Sequence, residues 1–149
     1  MDIGSGNGYP SSALSNFSPH PFVLDGVQCT SMEGFLQSLK FKSVDMQEAV
    51  CKLVGKTAKF KGKKKPWYRT QTLYWRGVEY KRSSDEYQEL LDRAYRAMFE
   101  QSESFKNALK AAGKGAVFTH SMGKSDESKT ILTTSEFCGR LMRLKAELF

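Results

Sequence analysis

Apolar residues recur at helical spacing through much of the chain. Tyr87, Leu90, Leu91, Ala94, Tyr95 and Met98 form one stripe and predict an amphipathic helix over Ser83–Phe99. Ser83 or Ser84 can cap it, and Asp85 and Glu86 stand in the first turn, where the positive end of a helix favours them. A second helix is expected over Glu103–Ala112, stopped by Gly113. The last begins near Thr133. Thr133 and Glu136 have capping-box spacing, and Phe137, Leu141, Leu144 and Leu148 mark its buried side. Upstream, Met46, Ala49, Val50 and Leu53 predict a helix over Asp45–Val54 with Gly55 as its terminator. A basic helical turn over Thr57–Lys65 is expected to end at Gly62, and Pro66 blocks its continuation.

Shorter apolar segments read as strands. Phe22–Leu24 and Val27–Cys29 flank Asp25-Gly26, a strong hairpin signal. Ala116–Phe118 is a further strand candidate, and His120–Ser128 reads as a polar loop around Gly123. These elements predict an α+β fold, mainly helical, in a single compact domain with a few short strands. Residues 1–8 read as a flexible lead-in and residues 9–149 as the domain.

Ser31–Lys42 differs from the other helical stretches. Glu33, Gln37 and Lys40 fall at i, i+4 and i+7 and share one face. Phe35, Leu36 and Leu39 wall that stripe on one side and Phe41 on the other, while Ser38 and Lys42 are expected to point to water. A carboxylate, an amide and an amine facing a partly dry space suit a reaction centre. They equally suit a half-buried polar network or i,i+4 surface pairing.

Composition narrows the class. A chain of 149 residues fits one domain with a full core. It has no apolar run near the roughly 20 residues that a membrane span needs, and no secretory pattern at its start. Cys29, Cys51 and Cys138 are odd in number and widely spaced, which predicts reduced thiols and a cytoplasmic setting. With His20 and His120 as the sole histidines, a structural zinc site is not expected. The net charge is +7, and basic residues concentrate in Lys52–Arg82. That pattern serves a phosphate-bearing partner or a solvated lysine-rich surface. The interleaved Trp67, Tyr68, Tyr74, Trp75 and Tyr80 serve either as core or as a stacking platform, with a turn at Gly77.

Several blocks together resemble the NADAR (YbiA-like) family. Its pattern of Ser-Asn-Phe, an apolar strand and Gly, then Ser/Thr-x-Glu-His-x-x-Gln-x-x-Lys-Phe is matched by Ser15, Asn16, Phe17, Gly26, Ser31, Glu33, Gln37, Lys40 and Phe41. The paired helices around Phe99–Phe105 and the terminal Leu141-Met142-x-Leu144 helix are similar to the family's as well, so the resemblance spans roughly residues 9–149. Three positions depart from it. The usual Glu-His is Glu33-Gly34, which implies a wider pocket or one donor fewer. The tryptophan before the long helix falls at about Ser83; Trp75, with Trp67 as the alternative, is expected to replace it. The Asp-x-x-Trp-Gly segment lacks Trp-Gly, and Asp126 is the nearest carboxylate.

The resemblance implies an N-glycosidase that cleaves a bond between ribose and a base. The branch it is most similar to removes ADP-ribose from guanine, so the implied partner is ADP-ribosylated nucleic acid or an ADP-ribose-type nucleotide. Early riboflavin-pathway intermediates are the alternative substrate, and a non-catalytic ADP-ribose or nucleic-acid binding module is the alternative class. The implied catalytic residues are Glu33 on the sugar side, Lys40 as proton donor or Schiff-base amine, and Asp126. Asn16, Phe17, Gln37 and His120 are implied contacts to ribose or base, Trp75 a stacking surface, and Lys63, Lys64 and Arg69 holders of phosphate. No metal and no cofactor is required, because acid–base groups suffice for this chemistry.

Overall fold

The first hairpin forms where Asp25-Gly26 predicts it. In the computed structural model, which describes residues 1–123 and 126–149, β1 (Phe22–Leu24) pairs antiparallel with β2 (Val27–Cys29), Phe22 opposite Cys29. Asp25 and Gly26 both take positive φ, 50° and 79°, as a two-residue turn with the strands' own twist requires. Phe22, Leu24, Val27 and Cys29 alternate inward to the core.

A short α1 (Ser11–Leu14) precedes this hairpin, and α2 (Met32–Ser38), α3 (Val44–Cys51) and α4 (Gly55–Lys63) follow it. A 3-10 turn at Trp67–Arg69 leads into a second antiparallel hairpin, β3 (Thr72–Trp75) and β4 (Val78–Lys81), turning at Arg76 and Gly77. Then come α5 (Asp85–Gln101), α6 (Glu103–Ala112) and, after the 3-10 turn Glu127–Lys129, α7 (Thr134–Ala146). The expected caps are present. Ser84 Oγ accepts from the Tyr87 N–H at 3.2 Å, α6 stops at Gly113, and Thr133 and Glu136 close the capping box.

The apolar stripe of α5 is the spine of the core, with Tyr87, Leu90, Leu91, Ala94, Tyr95 and Met98 all buried. Each large side chain of that kind contributes ~1.5–3 kcal/mol by leaving water. The tyrosine hydroxyls are also satisfied: Tyr87 donates to the Ile131 carbonyl at 2.6 Å and Tyr95 to Asn16 Oδ1 at 2.8 Å. Cys29, Cys51 and Cys138 are free thiols, all buried. Among the described residues no helix is long and apolar enough to cross a membrane.

Several local expectations are corrected. The helix expected over Asp45–Val54 ends at Cys51, because the Thr30 N–H takes the Cys51 carbonyl at 2.9 Å and the Ser31 hydroxyl takes the Leu53 carbonyl at 2.9 Å. Gly55, with φ 54°, opens α4 rather than ending α3, and α4 runs through Gly62 to Lys63. Ser38 does not point to water. It is fully buried and its hydroxyl donates to the Phe35 carbonyl at 2.6 Å. Ala116–Phe118 is not a strand; the Lys145 ammonium, itself buried, takes the carbonyls of Gly113, Lys114 and Ala116. Nor are the first residues a loose lead-in. Ile3 is fully buried, its N–H donates to the Thr119 carbonyl at 2.8 Å, and Thr119 N–H donates to the Met1 carbonyl at 2.9 Å. The Asp2 carboxylate accepts from the hydroxyl and N–H of Ser121 and from the Thr119 hydroxyl, which hold it below the usual carboxylate range.

Candidate functional site

Most of the α2 surface is covered. β2, α3, α4 and α5 pack around it, and Met32, Gly34, Phe35, Leu36 and Ser38 are all buried. The helix expected through Lys42 ends at Ser38, and its side carrying Glu33 and the buried Gln37, with Lys40 just past the helix end, forms one side of a cleft of about 490 Å³. That volume suits a nucleotide-sized ligand. The remaining walls come from the Asn16–Phe17 loop, from Lys59 and Lys63 of α4, from Lys65, Trp67 and Tyr68, and from His120, Met122 and the approach to α7.

Glu33 is the one carboxylate among the described lining residues, and it is tied on two sides. Its Oε1 accepts from Gln37 Nε2 at 2.9 Å, and its backbone N–H donates to the Asn16 carbonyl at 3.1 Å. Burial pushes its carboxyl above the usual carboxylate range; the Gln37 amide and the Lys40 and Lys59 ammonium groups pull the other way without cancelling it. A carboxyl so placed can exchange a proton closer to neutral pH than an exposed one.

Lysines dominate the field. Lys40, Lys59, Lys63, Lys65 and Lys129 all line the cleft. Aromatic faces hold three of them: Lys65 lies 4.9 Å from the Phe41 ring centre, Lys63 5.6 Å from Phe60 and Lys129 5.4 Å from Tyr68. Ammonium groups converging on a half-enclosed space draw in anionic, phosphate-bearing ligands.

Two polar side chains are fixed from behind. Asn16 Oδ1 accepts the Tyr95 hydroxyl, which leaves its NH2 group as the donor at the cleft. His120 Nδ1 lies 2.7 Å from the Ile3 carbonyl. A carbonyl only accepts, so that nitrogen carries the proton in the neutral ring and Nε2 is the acceptor. Phe137 backs the imidazole edge-on, with ring centres 5.3 Å apart.

Of the expected site residues, the cleft gathers Asn16, Phe17, Glu33, Gln37, Lys40, Lys63 and His120. It does not gather Trp75, Asp126, Lys64 or Arg69. Trp75 is core: 2% exposed, edge-on to Phe35 at 5.0 Å, its Nε1 donating to Asp25 Oδ2 at 2.8 Å. It has no free face for a base. Asp126 Oδ1 accepts from the N–H and hydroxyl of Ser128 and caps the 3-10 turn that follows. Lys64 and Arg69 are exposed outside the lining, and residues 124–125 of the expected His120–Ser128 loop lie outside the described residues. No group of His, Cys, Asp or Glu among the described residues is arranged to hold a metal ion.

Sequence reasoning had Trp67 only as the alternative to Trp75, and did not single out Lys59, Lys65 or Lys129. Trp67 lines the cleft, largely buried, with Tyr68 edge-on at 6.5 Å. A signal for Lys59 was present: it precedes Lys63 by four residues, hence on one helical face. Gly34 also has a different meaning from a widened pocket. A Cβ there would stand 2.6 Å from the Leu53 carbonyl oxygen and 2.9 Å from those of Cys51 and Val50. The position faces the end of α3, not the cleft.

Three comparisons bear on this arrangement. Residues 8–146 match the family described as Bacteriophage protein GP30.3. The chain is 40% identical over 152 residues to a 17.1 kDa protein from the Gp30-rIII intergenic region of Enterobacteria phage T4, an alignment covering 99% of this chain and 98% of that one. The NMR structure of the E. coli protein YbiA is similar with a TM-score of 0.63, covering 99% of this chain and 83% of that chain at 17% identity, a likeness of fold. The chain belongs to the Bacteriophage protein GP30.3 family and has the YbiA fold.

Proposed function

We propose that the protein is an N-glycosidase that hydrolyses the bond between ribose and a base nitrogen, acting on ADP-ribose attached to guanine in nucleic acid. The observation that carries this reading is Glu33, a desolvated carboxyl in a cleft otherwise lined by lysines. Cleaving an N-ribosyl bond builds positive charge at the anomeric carbon and negative charge on the departing base. Glu33 meets the first need, by stabilising that carbon or by taking a proton from the attacking water. The water oxygen bonds to the anomeric carbon, the carbon–nitrogen bond breaks, and a proton passes to the base.

Lys40, which lines the cleft with Glu33, supplies that proton or, as an unprotonated amine, displaces the base at the anomeric carbon and, as the ribose ring opens, forms a Schiff base that water then hydrolyses. Lys59, Lys63 and Lys65 suit the pyrophosphate, and Phe17, Trp67 and Tyr68 suit the flat base. The Asn16 amide and His120 Nε2 suit ribose hydroxyls. Lys64 and Arg69, exposed outside the cleft, would meet flanking phosphates of a polynucleotide. The free buried thiols support a cytoplasmic setting.

The test offers the protein an oligonucleotide ADP-ribosylated on guanine and, in parallel, the ribosylated pyrimidine of early riboflavin synthesis. ADP-ribose release by the wild type, reduced at least about 100-fold in Glu33→Gln, is the expected result. Release from the pyrimidine alone would reassign the substrate. Tight ADP-ribose binding with no release from either would make the domain a binding module.

A further inference from the structure

Gln37 is 7% exposed and holds its amide in one orientation. Its NH2 group donates to Glu33 Oε1, so its own Oε1 must point the other way, since an amide oxygen turned toward an ionised carboxylate would be repelled. That oxygen is buried and makes no hydrogen bond among the described residues. It lies against Gly62 of α4. A Cβ at position 62 would stand 1.9 Å from Gln37 Oε1 and 2.9 Å from its Cδ, so no side chain fits there while the amide holds its place. The glycine offers a Cα–H to the oxygen instead. Of the nine residues of α4, Ala58 and Gly62 are the buried ones, and Lys59 and Lys63 beside them reach the cleft. The seat of this basic helix on α2 is therefore also the back of the Gln37 amide.

We propose that Gly62 and Gln37 are positioning residues for Glu33: the bare Gly62 lets α4 close on the Gln37 amide and aim its NH2 at the carboxylate, so that carboxylate and phosphate-holding lysines are set as one unit. This rests on the N-glycosidase reading for its catalytic meaning, but the contact itself has its own readout. The charged and titratable groups acting on Glu33 are Lys40 from the turn after α2, Lys59 from α4 and Tyr95 from α5. Gln37→Met alters none of them, whereas Gly62→Ala also shifts the helix that carries Lys59.

The experiment is a pH titration of the Glu33 side-chain carboxyl by carbon NMR, in wild type, Gly62→Ala and Gln37→Met, with the pH–rate profile recorded on the same samples. With the amide donor lost in Gln37→Met, or pushed out of line in Gly62→Ala, the Glu33 pKa rises in both variants, and the acid limb of the profile moves up with it. A Glu33 titration unchanged in a folded variant overturns the inference. If Gly62→Ala does not fold, Gln37→Met decides alone, because methionine keeps the volume and loses the donor together with an oxygen that makes no hydrogen bond among the described residues. If the wild type releases no base, the functional reading fails, while the titration still decides whether these residues position Glu33.

Discussion

Gly34 of α2 and Cys51 of α3 approach so closely that a β-carbon at position 34 would lie 2.9 Å from the Cys51 carbonyl oxygen. The atoms in the way are backbone, so no rotamer change relieves them. Gly34→Ala should cost about 3 kcal/mol or more, and Gly34→His, the residue usual at this place in the resembled family, should prevent folding. Denaturant unfolding of the alanine variant and soluble yield of the histidine variant measure this. An alanine variant as stable as wild type would contradict the packing described.

Glu33→Gln should separate stability from activity. Burial raises the Glu33 pKa above its ordinary value of 4.5, so ionising it costs the folded state. The sign follows: that cost is absent below the unfolded carboxyl's pKa and complete once the pH exceeds the folded one. The glutamine variant should therefore melt a few degrees above wild type at neutral pH and together with it near pH 4, while losing base release. Melting curves at the two pH values test the pair of outcomes.

The tryptophans make different predictions. Trp75→Phe removes the bond to Asp25 and part of the Phe35 contact, and should cost about 2 kcal/mol of stability without altering ligand affinity. Trp67→Phe, at a buried position that also lines the cleft, should both lower stability and weaken binding. Because Trp67 and Trp75 are the chain's sole tryptophans, ADP-ribose-dependent fluorescence should survive in the first variant and disappear in the second.

Glu136 governs acid resistance. Burial alone would raise its pKa, but the Arg82 guanidinium at 2.6 and 3.1 Å, the Thr133 N–H and the Gln88 amide together hold it down to about 2. Its contribution is complete above the ordinary pKa of 4.5 and is lost as pH falls toward 2. Glu136→Gln should lose about 2 kcal/mol at neutral pH, allowing for solvent that reaches the pair, and the difference should vanish in strong acid. Urea unfolding across that range reads the effect.

Local signals fixed much of this molecule in advance. The Asp25-Gly26 turn, the Ser84 and Thr133 caps and the Gly113 stop are each decided by a few neighbouring residues, and each stands where the chain predicts it. The Glu33 and Gln37 pair was legible for the same reason, since it needs only helical geometry; Lys40 reaches the cleft from the turn after α2 ends at Ser38. What misled was distance along the chain. Whether Trp75 faces ligand or core depends on Asp25, fifty residues away, and the place of Ile3 depends on Thr119. Gly34 reads as a wider pocket or a missing donor, and Gly62 as a helix end, until α3 and α4 are laid against α2.

The docking of Met1–Ile3 on residues 117–121 also sets the order in which the cleft is completed. The Met1 ammonium donates to the Val117 carbonyl across 116 residues, and the Ile3 carbonyl orients His120. During synthesis the beginning of the chain emerges long before its partner segment. Glu33 and its helix can assemble early, but the His120 wall must wait until residues 117–121 have been made. A fragment ending before Val117 would carry the Glu33 carboxylate without His120, and its cleft would stand open on that side.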